Sequence, residues 1–266
     1  MPRKLTGITR RHFAAGSLAL LAARPAFALP RDVDYALQQD FGRITPAEGA
    51  IHLDLPDFTD AGTTVPITFS VDSPMTEDDY IRRVVIYGSR NPRPRLLTVQ
   101  FHPLGGVAEF STRLRLEGAQ TITALAESSG GEYWRKDQHV GVTFGACATV
   151  GEGDGLPADW EPSIRVSVPP TATAGEPVEI RTLISHPMET GLRLNRANQY
   201  VPLRIIERFT CRVNGQIAIE ALLEPAISTN PYLAFPLIAR ESATLDFEWL
   251  DTTGALYTET AELVVS

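Results

Sequence analysis

The residues best suited to chemistry stand in one short run, Gly145-Ala146-Cys147-Ala148-Thr149, where a single thiol sits among four small side chains. A structural cysteine is ordinarily packed among bulky apolar neighbours, whereas a reacting one has to be reachable and partly ionised. Small residues on both sides point to a thiol that is presented to something. An unperturbed thiol, with a pKa of about 8.5, is only a few per cent thiolate at neutral pH. The nearest basic residues in the sequence are Arg135 and Lys136, about one strand length earlier. No local activation is evident, so a reacting partner would have to supply it.

The other reactive residue types read as structure. Cys211 lies in Phe209-Thr210-Cys211-Arg212-Val213, where alternate residues share one strand face, so it belongs to the core and is a poor disulfide partner for Cys147. His186-Pro187-Met188-Glu189 contains imidazole and thioether, ligand types of soft metals. The corresponding place in the first half reads Ser73-Pro74-Met75, so the expectation is a turn with Met188 in the core and no metal. His52, His102 and His139 are dispersed without metal-type spacing. Arg113-Leu114-Arg115-Leu116 and Arg204-Ile205-Ile206-Glu207-Arg208 read as alternating strands with solvated basic faces, and Asn230-Pro231-Tyr232 as a rigid turn at a seam between domains. No phosphate loop, paired acid and base, or Ser-His-Asp spacing stands out, so no catalytic residues and no cofactor are expected.

The elements that hold Cys147 are strands. Residues 1–28 have the form of a cleaved export signal, with Arg3, Lys4, Arg10 and Arg11 before a short apolar core and Ala26-Phe27-Ala28 at its end; Arg10-Arg11 matches the twin-arginine type, with an ordinary secretory signal as the alternative. Removing that segment takes five basic and no acidic residues, leaving 19 Lys and Arg against 32 Asp and Glu. This balance argues against nucleic acid or an anionic membrane as a partner and, with the signal, predicts a soluble periplasmic protein.

Val33, Ala36, Leu37 and Phe41 then recur at helical spacing and predict a short helix ending before Gly42. After it the period becomes two. Strands are expected at 51–55, 65–71, 84–87, 97–101, 108–114, 122–126 and 140–144, and again at 164–168, 178–184, 205–213, 217–222, 233–238, 244–250 and 256–265. Between the two sets, Gly151-Glu152-Gly153-Asp154-Gly155 and Pro157 mark an exposed linker. The fold class is all-β: two immunoglobulin-like antiparallel β-sandwich domains in tandem, at 29–147 and 162–266, joined by a linker at 148–161.

The two halves repeat each other. Leu55-Pro56 to Ile67 lies over Val168-Pro169 to Ile180 at constant offset, continuing through Ser73-Pro74-Met75 over His186-Pro187-Met188, and Glu117 to Tyr133 lies ungapped over Glu241 to Tyr257. The last strand of the second half ends the sequence, whereas that of the first runs on into Gly145-Ala146-Cys147.

Several motifs carry a family likeness. Asp54-Leu55-Pro56, Val71-Asp72-Ser73-Pro74-Met75, Asn91-Pro92-Arg93-Pro94, Phe101-His102-Pro103 and Val142-Thr143-Phe144-Gly145-Ala146-Cys147 resemble SoxY, the sulfur-carrying subunit of the thiosulfate-oxidising Sox system. Leu183 to Gly191, Pro225 to Phe235 and Phe247-Glu248-Trp249 resemble its partner SoxZ. The resemblance implies a carrier without an active site of its own, holding sulfur intermediates on Cys147, flanked by Gly145, Ala146 and Ala148, for separate periplasmic Sox-type enzymes. The family's arm reads Gly-Gly-Cys-Gly-Gly and is C-terminal; here Ala146, Ala148 and Thr149 replace glycines, and the SoxZ-like half follows. In this the chain is similar to fused SoxYZ-like carriers associated with quinoprotein dehydrogenases. The alternative reading is a non-covalent adaptor that docks to a quinoprotein dehydrogenase or c-type cytochrome and carries nothing on the thiol.

Overall fold

A computed structural model describes residues 33–145 and 160–266. The signal expected at 1–28, the arm residues Ala146, Cys147 and Ala148, and most of the linker lie outside these described residues. The predicted helix is α1 (Val33–Phe41). The first half continues with β1 (Ile51–Asp54), β2 (Phe58–Ala61), β3 (Val65–Val71), β4 (Ile81–Gly88), β5 (Arg95–Phe101), β6 (Glu109–Leu114), β7 (Gln120–Ser128) and β8 (Tyr133–Phe144). The second has β9 (Ile164–Ser167), β10 (Thr171–Ala172), β11 (Pro177–Ile184), β12 (Ile206–Val213), β13 (Gln216–Leu223), β14 (Tyr232–Ile238), β15 (Ala243–Asp251) and β16 (Leu256–Val265).

These strands form two sheets that run through both halves. One has the order β1-β3-β6-β14-β11-β9, the other β10-β16-β15-β12-β13-β5-β4-β7-β8-β2. The alternation that predicted each strand is the alternation of burial: in β15, Leu245, Phe247 and Trp249 face inward while Asp246 and Glu248 face out. The short edge strands β2 and β10 run parallel to β8 and β16. Sequence patterning missed both, because neither is long enough to show a period. It also began β8 at 140, whereas the strand starts at Tyr133.

Strand register tests the internal repeat directly. Ile51 faces Val71 across β1 and β3, and Ile164 faces Ile184 across β9 and β11, so the first stretch of the repeat holds. The later stretch is off by one residue. Glu127 pairs with Tyr133 at the turn of the β7–β8 hairpin and Leu250 with Leu256 at that of β15–β16, so Tyr257 answers to Trp134 rather than Tyr133. A slip of one residue moves every side chain to the other face of a strand, and the core agrees with the corrected register: Ile122, Ala124 and Ala126 are replaced inside by Leu245, Phe247 and Trp249.

The halves join strand to strand. β5 pairs antiparallel with β13, Val99 opposite Ala221, and β6 meets β14 at Ser111 and Ala234. In the corrected alignment each of these is a pair of equivalent positions, so the seam has the self-matching geometry of a two-fold dimer interface. The core crosses it without a break. Phe69, Phe110, Phe235, Phe209 and Trp249 form a chain of ring contacts at 6.1, 6.3, 5.8 and 5.3 Å from one half into the other.

Helix α1 lies on the outer face of the larger sheet, where Val33 and Leu37 cover Val85, Tyr87 and Leu125 in a separate apolar cluster. The Tyr87 hydroxyl donates to Asp40 at 2.6 Å, Arg83 lies 4.2 Å over the Phe41 ring, and Arg135 reaches Asp34 at 2.8 Å.

Candidate functional site

The chain leaves the fold toward Cys147 at the end of β8, and that exit is tightly fixed. The Phe144 carbonyl accepts the Gly62 N–H at 2.8 Å, and the Gly62 carbonyl accepts that of Leu116 at 2.7 Å. Gly145 rests on the backbone of Glu117 and Gly118, and a Cβ there would overlap the Glu117 carbonyl. Only glycine fits this seat. Gly145 therefore anchors the root of the arm. Phe144 beside it is 72% exposed, unusual for a large apolar side chain.

Next to this root a cavity of about 130 Å³ opens at the seam. Pro92, Leu192, Pro225 and Ala226 supply apolar walls, and Glu117, the seat of Gly145, shares the rim with Arg93, Arg95 and Arg115. Leu192 belongs to an excursion between β11 and β12 for which the short link between β3 and β4 has no counterpart. Arg115 corrects the sequence reading: its guanidinium does not lie on a solvated strand face. It crosses the seam and donates to the carbonyls of Met188 at 2.6 Å and Pro187 at 2.9 Å. Burial lowers its pKa, and the carboxylate acting on it, Glu189, is itself paired with Arg193 at 2.7 Å. Arg204, read the same way, donates instead to the buried Asp251 at 3.1 Å.

The residues from His186 to Met188 form the expected turn. Met188 is buried with φ 50°, as is Met75 with φ 50° in the first half, and their sulfurs lie 3.3 and 3.4 Å from the backbone nitrogens of Ile206 and Ile81. The N–H of Met188 donates to His186 Nδ1 at 3.1 Å, as that of Met75 donates to the Ser73 hydroxyl at 3.2 Å. The imidazole thus does a serine's work in the turn. Its Nδ1 is an acceptor, so Nε2 carries the proton, buried and without a hydrogen-bond partner among the described residues. Burial lowers the His186 pKa to about 4. No group of metal-ligating side chains occurs among the described residues. Trp160, where the described chain resumes, packs edge-on to His186 at 5.4 Å with Arg204 5.5 Å from its ring. The Asn230 turn lies where expected, with Thr112 reaching across the seam to the Tyr232 carbonyl at 2.9 Å.

Cys211 is fully buried on β12, and burial pushes its thiol pKa well up. It is a core residue. The structure thus brings the arm root, the seam cavity and the His186 turn to one end of the molecule, and it leaves Cys211 away from any reaction.

Two β-sandwiches paired strand to strand at equivalent positions within one chain define a fused dimer of like domains. The family of sulfur oxidation protein SoxY matches residues 37–147 and that of sulphur oxidation protein SoxZ residues 164–262; the chain is a SoxYZ fusion. No curated protein matches it. Among solved structures, the sulfur carrier protein SoxY from Chlorobium limicola f thiosulfatophilum is 23% identical over 44% of this chain and 96% of its own, with a TM-score of 0.37. A superoxide reductase (neelaredoxin) from Ignicoccus hospitalis is 19% identical over 35% of this chain and 80% of its own, with a TM-score of 0.33.

Proposed function

We propose that this protein is a periplasmic covalent carrier that holds a sulfur-linked intermediate on Cys147 while partner enzymes load, oxidise and release it. The observation that carries the reading is that the SoxY match extends through residue 147, the thiol itself, immediately beyond the anchored Gly145. The buried Cys211 leaves Cys147 as the thiol suited to exchange. Chemistry is supplied by the partners, Sox-type enzymes or a quinoprotein dehydrogenase with its c-type cytochrome, and the carrier contributes the thiol and its placement. The replacement of arm glycines by Ala146, Ala148 and Thr149 favours a second reading, a non-covalent adaptor for the same dehydrogenase.

Intact-mass measurement on protein purified from its native periplasm separates the two. The carrier is expected to bear a reducible adduct that a Cys147→Ser variant lacks, and the variant is expected to lose pathway activity. A bare thiol together with full activity in the variant would leave the adaptor standing.

A further inference from the structure

We propose that two copies of this chain pair through the outer face of the second half, on a patch of leucines around Glu207 and Arg208. The inference stands apart from the carrier reading above and does not rest on it.

Strand register builds the patch. Leu250 and Leu222 stand directly opposite Arg208 on the strands to either side of it, and Leu256 stands opposite Leu250. The four side chains form a row across β16, β15, β12 and β13, roughly 14 Å long at about 4.8 Å per strand. The register of β12 against β15 shifts between Ile206 and Arg208, which leaves Glu207 as the extra residue of a bulge. A bulge re-aims a side chain. Here Glu207 and Arg208 line one groove of about 350 Å³ together with Leu203, Leu222 and Leu250. Leu222 is 39% exposed and Leu256 56%, so the row ends in apolar surface on both sides of the charges.

The first half shows the same place under a cover. It has the same bulge between Ile81 and Arg83, and in the corrected alignment Arg83 answers to Arg208. There Glu127 accepts from Arg83 at 2.5 Å and lies 3.5 Å from Arg82. The Phe41 ring of α1 lies over Arg83, with Tyr133 edge-on to it at 5.9 Å. In the second half Leu250 replaces Glu127, Leu256 replaces Tyr133 and Leu222 replaces Gln100, and no helix occurs there among the described residues. Farther along the face, Arg212 and Thr210 have Glu248 and Glu220 as partners. The side chains of Glu207 and Arg208 have no hydrogen bond or ion pair among the described residues.

Charge identifies the occupant. A free anion and a free cation stand on consecutive residues, so a two-fold axis between them sets each Glu207 against Arg208 of the second copy while the leucines meet around both pairs. A partner of one sign would satisfy one of these charges and repel the other.

Sedimentation velocity on the full chain tests this. A phosphine reductant keeps any Cys147 disulfide from joining copies, and physiological ionic strength screens charges beyond about 8 Å. A monomer–dimer equilibrium with a dissociation constant of about 10 μM is expected. Arg208→Glu or Glu207→Arg sets like charges across the axis, and either should weaken the dimer at least about 100-fold. The double reversal, Glu207→Arg with Arg208→Glu, remakes both pairs and should return the constant to within about threefold of the unaltered value. A variant weakened by misfolding gains nothing from a second reversal. Leu222→Ser, which alters no charge, should weaken the dimer about tenfold. A monomer at concentrations well above the expected constant, whether the face is bare or covered by another segment or protein, overturns the proposal. So does a dimer that survives either single reversal or Leu222→Ser, or one that the double reversal fails to restore.

Discussion

The two halves share a fold and differ on their outer faces. In the first, Val85 and Leu125 face each other across β4 and β7 with Tyr87 nearby, and α1 lies over them. The equivalent pair across β12 and β15 is Thr210 and Glu248, and Arg212 stands in place of Tyr87. There the face is closed by its own side chains: Thr210 donates to Glu220 at 3.4 Å and Arg212 lies 3.7 Å from Glu248. An apolar outer face needs a cover, and a charged one supplies its own. The interiors differ in the reverse sense, with Trp249 on the second side where Ala126 stands on the first.

The largest break in this comparison comes from the interior. Trp249→Ala is expected to cost about 3 to 5 kcal/mol, read from the denaturant midpoint, because the ring that packs on Phe209 and Phe247 leaves a cavity behind. Acid acts on the second half through His186. Its pKa lies near 4 in the folded protein against 6.5 for an unperturbed histidine. The unfolded chain therefore takes up the proton first, and stability falls as the pH drops from 6.5 to 4, by up to about 3 kcal/mol at 1.36 kcal/mol per pH unit. His186→Ser, which copies Ser73, should remove that part of the pH dependence in denaturation curves taken across this window. Leu37→Ala, under α1, should cost about 2 kcal/mol in the unaltered protein. In a background carrying Val85→Thr, Tyr87→Arg and Leu125→Glu, which rewrites the face in the second half's residues, the same change should cost under about 0.5 kcal/mol; a full cost there would mean the helix is held by something other than the apolar face. The smallest effect belongs to the charged face. Glu248→Gln should shift stability by no more than about 0.5 kcal/mol, since the pair it breaks is half-exposed.

Much of this architecture was legible in the sequence because burial and periodicity coincide. Val65, Ile67, Phe69 and Val71 alternate in the sequence and alternate in the sheet. Tyr133 to Asp137 were harder to read, because β8 there has no buried face and its apolar and charged residues do not alternate. The one-residue slip in the later repeat had a similar origin: matching Tyr133 to Tyr257 satisfied residue identity, whereas only hydrogen-bond register reveals which face each side chain takes. Cys147 could be singled out from its small neighbours and family likeness alone. Arg115 could not, since its role depends on two carbonyls from the other half, and nothing in Arg113-Leu114-Arg115-Leu116 distinguishes the arginine that is partly buried on those carbonyls from the exposed one that lies over the Tyr232 ring.

The pairing of Val99 with Ala221 and of Ser111 with Ala234 has a consequence for stoichiometry. An interface that matches equivalent positions is also the shape in which either half would meet a second copy of itself, so free halves at unequal concentrations would compete between like and unlike pairs. A covalent connection replaces that competition with an effective concentration in the millimolar range. Each thiol is thereby issued with one second half of its own, and the population contains no arm whose neighbouring cavity wall is missing.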